Sequence, residues 1–212
     1  MANHTLYCGK GGGSLIVEAA FAFARIPLEF IDLSWDEIRS DNSSLRAINP
    51  LAQVPTLLMP DGSVMTESAA MILHLADLNA KANLVPSPEH VQRRRFLRWL
   101  IFLVSAVYPT FTYGDASKRW LAGDEKAAEI LRRSTDEHRE MLWRYVEGQI
   151  EGPWFLDETW SALDLYLWPM TYWGPGRTWF SIQCPKLHRI GITMHDHPVC
   201  QQVLARNGLL DA

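Results

Sequence analysis

The chain has 212 residues, of which 48 % are apolar and 21 % are charged, and its formal net charge is −4. This composition is typical of a folded globular protein, and the slight negative charge argues against nucleic acid and acidic membranes as partners. Its three cysteines form neither a disulfide framework nor a Cys-x-x-Cys pair, so no metal site is expected. Because we find no apolar run of about 20 residues and no signal-peptide pattern, we expect a cytoplasmic protein that does not enter a membrane.

The first 80 residues carry alternating strand and helix patterns. Period-two stretches predict strands at 5–8, 28–33, 55–59 and 63–66, and apolar helical stripes predict helices at 15–25 and 67–80. Ser14 is placed to cap the first helix, and the Pro60-Asp61-Gly62 triplet predicts a hairpin between the last two strands. The predicted order is therefore βαβ followed by ββα.

The remaining residues lack strand patterns. Two prolines predict a linker at 81–88, and helices are predicted at 89–113, 123–150, 185–189 and 198–206. Ser161 and Asp164 have the spacing of a capping box and predict the start of another helix. The charge distribution also differs, with five basic and nine acidic residues in 1–88 and fifteen of each in the rest. These patterns predict an α/β domain at 1–80 and an all-α domain at 89–212.

A glycine-rich loop follows the first predicted strand and could hold an anion at the start of the first helix. Gly9, Gly11 and Ser14 nearly fit the dinucleotide-binding fingerprint, and Asp32 lies about 20 residues further on. The third glycine of that fingerprint is missing, and only about 80 residues are α/β. We therefore keep a nucleotide-binding fold as a third alternative, to be tested by NAD titration.

The segment from Asn49 to Ala70 contains Asn-Pro-Leu-Ala-Gln-Val-Pro, then Pro-Asp-Gly, then Thr-Glu-Ser-Ala-Ala. With these motifs, the linker and the Ser161–Asp164 box, the chain resembles the cytosolic glutathione transferase superfamily over essentially its whole length. The 99–111 stretch is most similar to bacterial beta-type members. The resemblance implies a thioredoxin-like α/β N-terminal domain, an all-helical C-terminal domain, a homodimer, and glutathione as co-substrate in detoxification.

The resemblance also implies where glutathione binds. In the family, the residue before a cis proline pairs its backbone with the cysteinyl part of glutathione, which here points to Val54 and Pro55, beside Gln53. Glu67 and Ser68 would bind the γ-glutamyl end. A carboxylate suits Ser68 and the first helical N–H groups, and an ammonium suits Glu67.

The thiolate donor is the point where the chain departs from beta-type relatives, which carry a cysteine where this chain has Gly13. Ser14 is our first candidate for the donor and Tyr7 is the second. The alternatives are purely structural roles, in which Ser14 only caps the helix and Tyr7 is only a half-buried aromatic residue of the strand. Cys8 is expected to be a packed strand residue, because it points opposite to Tyr7. Ile101 replaces the asparagine that reaches glutathione across the family's dimer interface.

Two further sets complete the expected site. In relatives, a basic residue binds the glycyl carboxylate of glutathione. This chain has no clear counterpart of that residue, and Trp35 or Arg39 could replace it. Aromatic residues at the start of the helical domain are expected to line the hydrophobic substrate site: Tyr108, Phe111 and Tyr113. Five others are assigned to the core: Trp168, Tyr172, Trp173, Trp179 and Phe180.

These patterns favour an enzyme that binds glutathione, stabilises its thiolate and directs it at a small hydrophobic, aromatic electrophile. The alternative is a ligand-binding protein of the same fold that has lost catalysis. The sequence leaves open whether the reaction is conjugation, peroxide reduction, dehalogenation, ether cleavage or isomerisation.

Overall fold

The computed structural model of the protein describes residues 3–121 and 123–210. A four-stranded mixed sheet is formed by β1 (His4–Gly9), β2 (Leu28–Leu33), β3 (Thr56–Leu58) and β4 (Val64–Met65). β1 is parallel to β2 and antiparallel to β3, which pairs antiparallel with β4, so the strand order is β2-β1-β3-β4.

The helices are α1 (Ser14–Ala24), α2 (Trp35–Arg39), α3 (Ser68–Leu78), α4 (Arg93–Phe102), α5 (Tyr108–Asp115), α6 (Ser117–Trp120), α7 (Glu125–Glu147), α8 (Ala162–Met170), α9 (Arg177–Gln183), α10 (Pro185–His195) and α11 (Pro198–Asn207). Short 3₁₀ turns occur at Ser44–Ala47 and Ala80–Ala82, and a π-helical turn at Leu103–Val107 joins α4 to α5. The predicted fold class, a thioredoxin-like α/β part followed by a helical part, is confirmed.

The described chain forms two compact units, 3–87 with 195–210, and 88–194. The division into domains at 1–80 and 89–212 stays a prediction, but the units differ from it in one respect. α11, which we expected with the helical domain, packs on α1 and belongs to the first unit. Arg206 of α11 binds Glu18 of α1 and Asp32 of β2, which explains why the end of the chain joins the α/β unit.

The first unit is built around α1. Nine of its eleven residues are buried, because the helix contacts β1, α3 and α11. Arg25 ends the helix in a left-handed conformation, two residues before Pro27. The hairpin prediction is confirmed, since Gly62 has φ +86° and its N–H donates to the carbonyl of Met59 at 2.9 Å.

The second unit contains helices joined by loops, with no strand among its described residues. One continuous helical run, 93–115, is long and apolar enough to cross a membrane by length and composition alone. Three of its large apolar side chains, Phe96, Trp99 and Leu100, are fully buried, whereas Ile101 is 54 % exposed. Ser161 and Asp164 form the predicted capping box at the start of α8, where Asp164 accepts from the N–H groups of Ser161 at 2.8 Å and Phe155 at 2.9 Å.

Candidate functional site

The first unit brings the predicted glutathione-binding segments to one edge of its sheet. β1 and β2 run parallel and end there, while β3 begins there and β4 ends there. Leu57 pairs with Met65, so extending this antiparallel register by two residues sets Glu67 beside Pro55. The glycine loop, the segment before β3 and the start of α3 therefore share this edge.

The glycine loop at 10–13 connects β1 directly to α1. Gly13, not Ser14 as predicted, is the N-cap, and Ser14 is the first helical residue. The Ser14 hydroxyl accepts a hydrogen bond from the N–H of Gly9 at 3.3 Å, and its side chain is buried. Because a hydroxyl that accepts one bond can still donate its own proton, Ser14 keeps a donor at this point.

Trp35 lies across the glycine loop. Its Nε1 donates to the carbonyl of Lys10 at 3.0 Å, and a Cβ added at Gly12 would meet its ring at 2.7 Å. The Arg39 guanidinium lies 5.5 Å from the centre of the same ring. The indole is 39 % exposed, so one side fixes the loop while the rest faces solvent. Trp35 and Arg39 are thus both at this edge, as the sequence suggested.

The segment before β3 holds the Val54–Pro55 peptide bond in the cis form that the resemblance implied. Asn49 supports this loop, because its Nδ2 donates to the Thr56 hydroxyl at 2.9 Å and to the Gln53 carbonyl at 3.2 Å. Thr56 in turn donates to the Gln53 carbonyl at 2.7 Å. Within the described residues, no hydrogen bond engages the backbone N–H or C=O of Val54. An extended peptide laid along Val54 would meet a donor and an acceptor.

Glu67 precedes α3 in an unusual conformation, with φ +65° and ψ 103°. A side chain with positive φ costs on the order of 1–3 kcal/mol, and such residues cluster at functional sites. The Glu67 carboxylate is exposed and does not cap the helix, while Ser68 is the first helical residue. The N-terminal end of α3 carries the partial positive charge of the helix dipole, which favours an anion at this point.

The two neighbours in β1 point to opposite faces of the sheet, as predicted. Tyr7 packs against a buried cluster of Leu33, Ile38 and Leu45, against which Val54 also packs. Cys8 is buried on the other face, where its thiol donates to Asp32 at 3.1 Å. Burial, with the Asp32 carboxylate beside it, raises the pKa of Cys8 to about 12, so it remains a thiol at neutral pH.

A charged cluster around Arg206 was missed by the sequence analysis. Its guanidinium binds the buried carboxylate of Glu18 at 2.5 and 2.7 Å and the carboxylate of Asp32 at 2.9 and 3.1 Å. Burial alone would raise the pKa of Asp32, but the hydrogen bonds from Arg206 and Cys8 outweigh it and hold that pKa below its ordinary value. The cluster fixes α11 to α1 and β2.

In the second unit, the structure separates the three predicted lining residues. The ring of Tyr108 lies 6.3 Å from that of Phe111, and both contact Trp173, at 5.7 and 5.3 Å between ring centres. Tyr113 is exposed and pairs instead with Trp120 at 5.0 Å. Trp173, which we assigned to the core, is half-buried and belongs to the Tyr108 cluster.

Burial raises the pKa of Tyr108, so its hydroxyl stays protonated and can donate a hydrogen bond. Of the other aromatic residues assigned to the core, Trp168 and Phe180 are buried, while Tyr172 and Trp179 are half-buried. Among the described residues, no group of three or more histidine, cysteine or acidic side chains could hold a metal ion.

Comparison with known proteins gives relatives along most of the chain. The family described as Glutathione S-transferase, N-terminal domain, matches residues 14–78. The GST-like protein YncG of Escherichia coli K12 is 36 % identical over 207 residues, which cover 97 % of this chain and 98 % of that protein. Glutathione S-transferase GST-4.5 of Xanthomonas campestris pv. campestris is 26 % identical over 172 residues, covering 79 % of this chain and 81 % of that one.

Solved structures agree on the fold. A glutathione transferase homologue from Sulfitobacter, crystallised with bound glutathione, has a TM-score of 0.85 to this chain at 24 % identity. The superposition covers 99 % of this chain and 100 % of the other. Both units described above are therefore included in the likeness.

Proposed function

Because this chain belongs to the cytosolic glutathione S-transferase superfamily, we propose that it binds glutathione, stabilises its thiolate and directs it at a small aromatic electrophile. The observation that carries this proposal is the sheet edge of the first unit, where the backbone of Val54 is unpaired beside the start of α3. A tripeptide laid along Val54 would place its γ-glutamyl carboxylate at Ser68 and its ammonium at Glu67. Gln53, exposed next to Val54, would contact the same end of the ligand.

The chemical requirement is to ionise the glutathione thiol near neutral pH. A free thiol has a pKa of about 8.5, and lowering it by about two units takes roughly 2.7 kcal/mol of preferential thiolate stabilisation. A hydroxyl donor and the N–H groups at the start of α1 supply energies of this order. Ser14 is our first candidate because its oxygen already accepts from Gly9, which leaves its proton to donate. Tyr7 is the second, since it packs on the same buried cluster as Val54.

The glycyl end of glutathione would lie near Trp35 and Arg39. Arg39 is exposed and supplies the positive charge, while the Trp35 nitrogen is already committed to Lys10. We therefore assign the carboxylate contact to Arg39 and the support of the glycine loop to Trp35.

The electrophile would contact the aromatic residues of the second unit. Tyr108, Phe111 and Trp173 form one cluster of edge-to-face rings, which suits a planar apolar ligand. Tyr113, which pairs with Trp120, is the third proposed lining residue. We further propose a cytoplasmic homodimer acting in detoxification, with the oligomeric state to be measured by light scattering.

Calorimetry with glutathione, thiolate absorbance and conjugation of an aryl halide test this function. We expect glutathione binding, and a fall in kcat/KM of at least about tenfold on Ser14→Ala, equivalent to the loss of one hydrogen bond to a charged sulfur. Tyr7→Phe should have a smaller effect, and Ser134→Ala, an exposed serine of α7, should have none. Absence of binding at millimolar glutathione would reject the proposal.

A second function, ligand binding without catalysis, is favoured by specific departures from beta-type relatives. Gly13 stands where they have a cysteine, and Ile101 where they have an asparagine. Ile101 is 54 % exposed, so it offers an apolar surface in place of that polar contact. This alternative predicts quenching of tryptophan fluorescence by an aromatic ligand without turnover, and conjugation that depends on Ser14 would argue against it.

A further inference from the structure

A buried arginine lies behind the aromatic cluster of the second unit. Only 2 % of the Arg139 side chain is exposed, although it belongs to the polar helix α7. Its guanidinium carbon lies 4.2 Å from the centre of the Phe111 ring. We propose that Arg139 is a positioning residue that orients Phe111 and Trp173 for an aromatic ligand, an inference that rests on the substrate site proposed above.

The hydrogen bonds of Arg139 connect three segments. Nη1 donates to the carbonyl of Gly174 at 3.3 Å, and Nη2 donates to Asp136 one turn earlier in α7. Nη2 also lies 3.8 Å from the carboxylate of Asp115 at the end of α5. One side chain therefore holds together α5, α7 and the loop after Trp173.

These contacts act on the aromatic rings themselves. Trp173 directly precedes Gly174, so a bond to the Gly174 carbonyl restrains the backbone that carries the indole. Stacking of the guanidinium restrains Phe111, whose ring contacts Trp173. Tyr108 completes the cluster by contacting both rings. Displacement of Arg139 would therefore free two of the three rings.

A glycine after Trp173 permits this close approach. A Cβ added at Gly174 would lie 3.1 Å from Nη1, which is tighter than an ordinary contact. The loop after Trp173 is thus shaped around the guanidinium.

Stability alone does not account for an arginine here. Burial lowers the pKa of Arg139, although the negative charges of Asp115 and Asp136 act to raise it. Its Nε has no hydrogen-bond partner among the described residues. An apolar side chain of similar volume often stabilises such a position better than an incompletely paired charge. A planar group that lies over the Phe111 ring and donates to the backbone just after Trp173 serves to orient both rings.

The test compares Arg139→Met and Arg139→Lys with Arg133→Met, an exposed arginine of the same helix. Asp136 and Asp115 are 44 % and 55 % exposed in their side chains, so neither becomes a buried unpaired charge in these variants. The readouts are near-ultraviolet circular dichroism of the free protein and fluorescence titration with neutral N-phenyl-1-naphthylamine. A neutral probe excludes direct attraction by the arginine charge.

We expect Arg139→Met to change the near-ultraviolet circular dichroism of the aromatic residues and to weaken binding of the probe by about tenfold. This size corresponds to the loss of one cation–π contact and one hydrogen bond. Arg139→Lys keeps the charge but loses the planar guanidinium that lies over Phe111, so it should weaken binding of the probe by about threefold or more. In the conjugation assay, KM for an aryl halide should rise in parallel while KM for glutathione stays within about twofold. If Arg139→Met fails to fold, Arg139→Lys carries the comparison.

Unchanged dichroism and probe affinity in a folded Arg139 variant would overturn the inference, as would failure of the wild type to bind the probe. If the wild type binds the probe but not glutathione, the proposed function fails while the role of Arg139 is still decided by the first two readouts.

Discussion

Gly12 is the residue at which the geometry of the candidate site makes its sharpest prediction. A Cβ at this position would lie 2.7 Å from two ring carbons of Trp35, whereas ordinary contact begins at 3.4 Å, so the indole must retreat by about 0.7 Å. That movement stretches the 3.0 Å bond from Trp35 to Lys10 and lifts the ring from the loop. Gly12 does not have a positive φ, so alanine adds no backbone strain of its own.

The magnitude follows from these opposing contributions. Loss of the hydrogen bond and of the ring contact costs about 1–2 kcal/mol, while Gly→Ala stabilises by about 0.4–1 kcal/mol by restricting the unfolded chain. We therefore expect Gly12→Ala to lower the free energy of unfolding by about 1 kcal/mol. In a Trp35→Ala background the same change should stabilise, which gives a coupling energy of about 1–2 kcal/mol.

Urea denaturation of the two single variants and the double variant measures this coupling. Gly11→Ala is the matched control, because Gly11 has φ +75° and its added Cβ meets nothing closer than 3.9 Å. Its cost should come from the backbone and should be the same with and without Trp35. An equal cost of Gly12→Ala in both backgrounds would refute the assignment of Trp35 as the support of the glycine loop.

Three other variants test separate parts of the first and second units. Glu67→Ala and Glu67→Gly should both weaken glutathione binding in calorimetry, but the glycine variant should be the more stable by about 1 kcal/mol in urea, because Glu67 has φ +65°; equal stability would contradict the strained backbone. The extra stability of wild type over Asp32→Asn should be constant above about pH 5 and should be lost as the pH falls toward and through the lowered pKa of Asp32, because the folded state favours the carboxylate. A difference independent of pH down to about 2 would exclude this. Asp164→Ala should lower the free energy of unfolding, measured by heat or urea, by about 2–5 kcal/mol, since it leaves two buried N–H groups without an acceptor. A decrease below about 1 kcal/mol would contradict the role of the capping box.

The parts of the fold that were predictable have strong local patterns. The 28–33 strand alternates apolar and acidic residues and was placed with its observed bounds, and the Pro60–Gly62 turn defined the hairpin. The short helices α2, α6 and α9 were not predicted, because four to seven residues do not establish a helical period.

The candidate site likewise contains parts that a local sequence pattern predicts and parts that it does not. The segment from Asn49 to Ser68 was predictable because its motif is contiguous, and the cis bond before Pro55 agrees with that resemblance. The bond between Glu18 and Arg206 joins residues 188 positions apart, and no local pattern reports such a pairing. Ser14 was misplaced by one helical position because Gly13 takes the cap without a side chain, which leaves the hydroxyl to the Gly9 N–H.

A crystal structure of the protein with glutathione tests the central claim most directly. We predict the cysteinyl backbone paired with the N–H and C=O of Val54, and the γ-glutamyl group at Glu67 and Ser68. The sulfur should lie within about 3.5 Å of the Ser14 hydroxyl, a hydrogen-bonding distance for a thiolate. Glutathione ordered at any other place, or a sheet edge left empty at saturating glutathione, would contradict the claim.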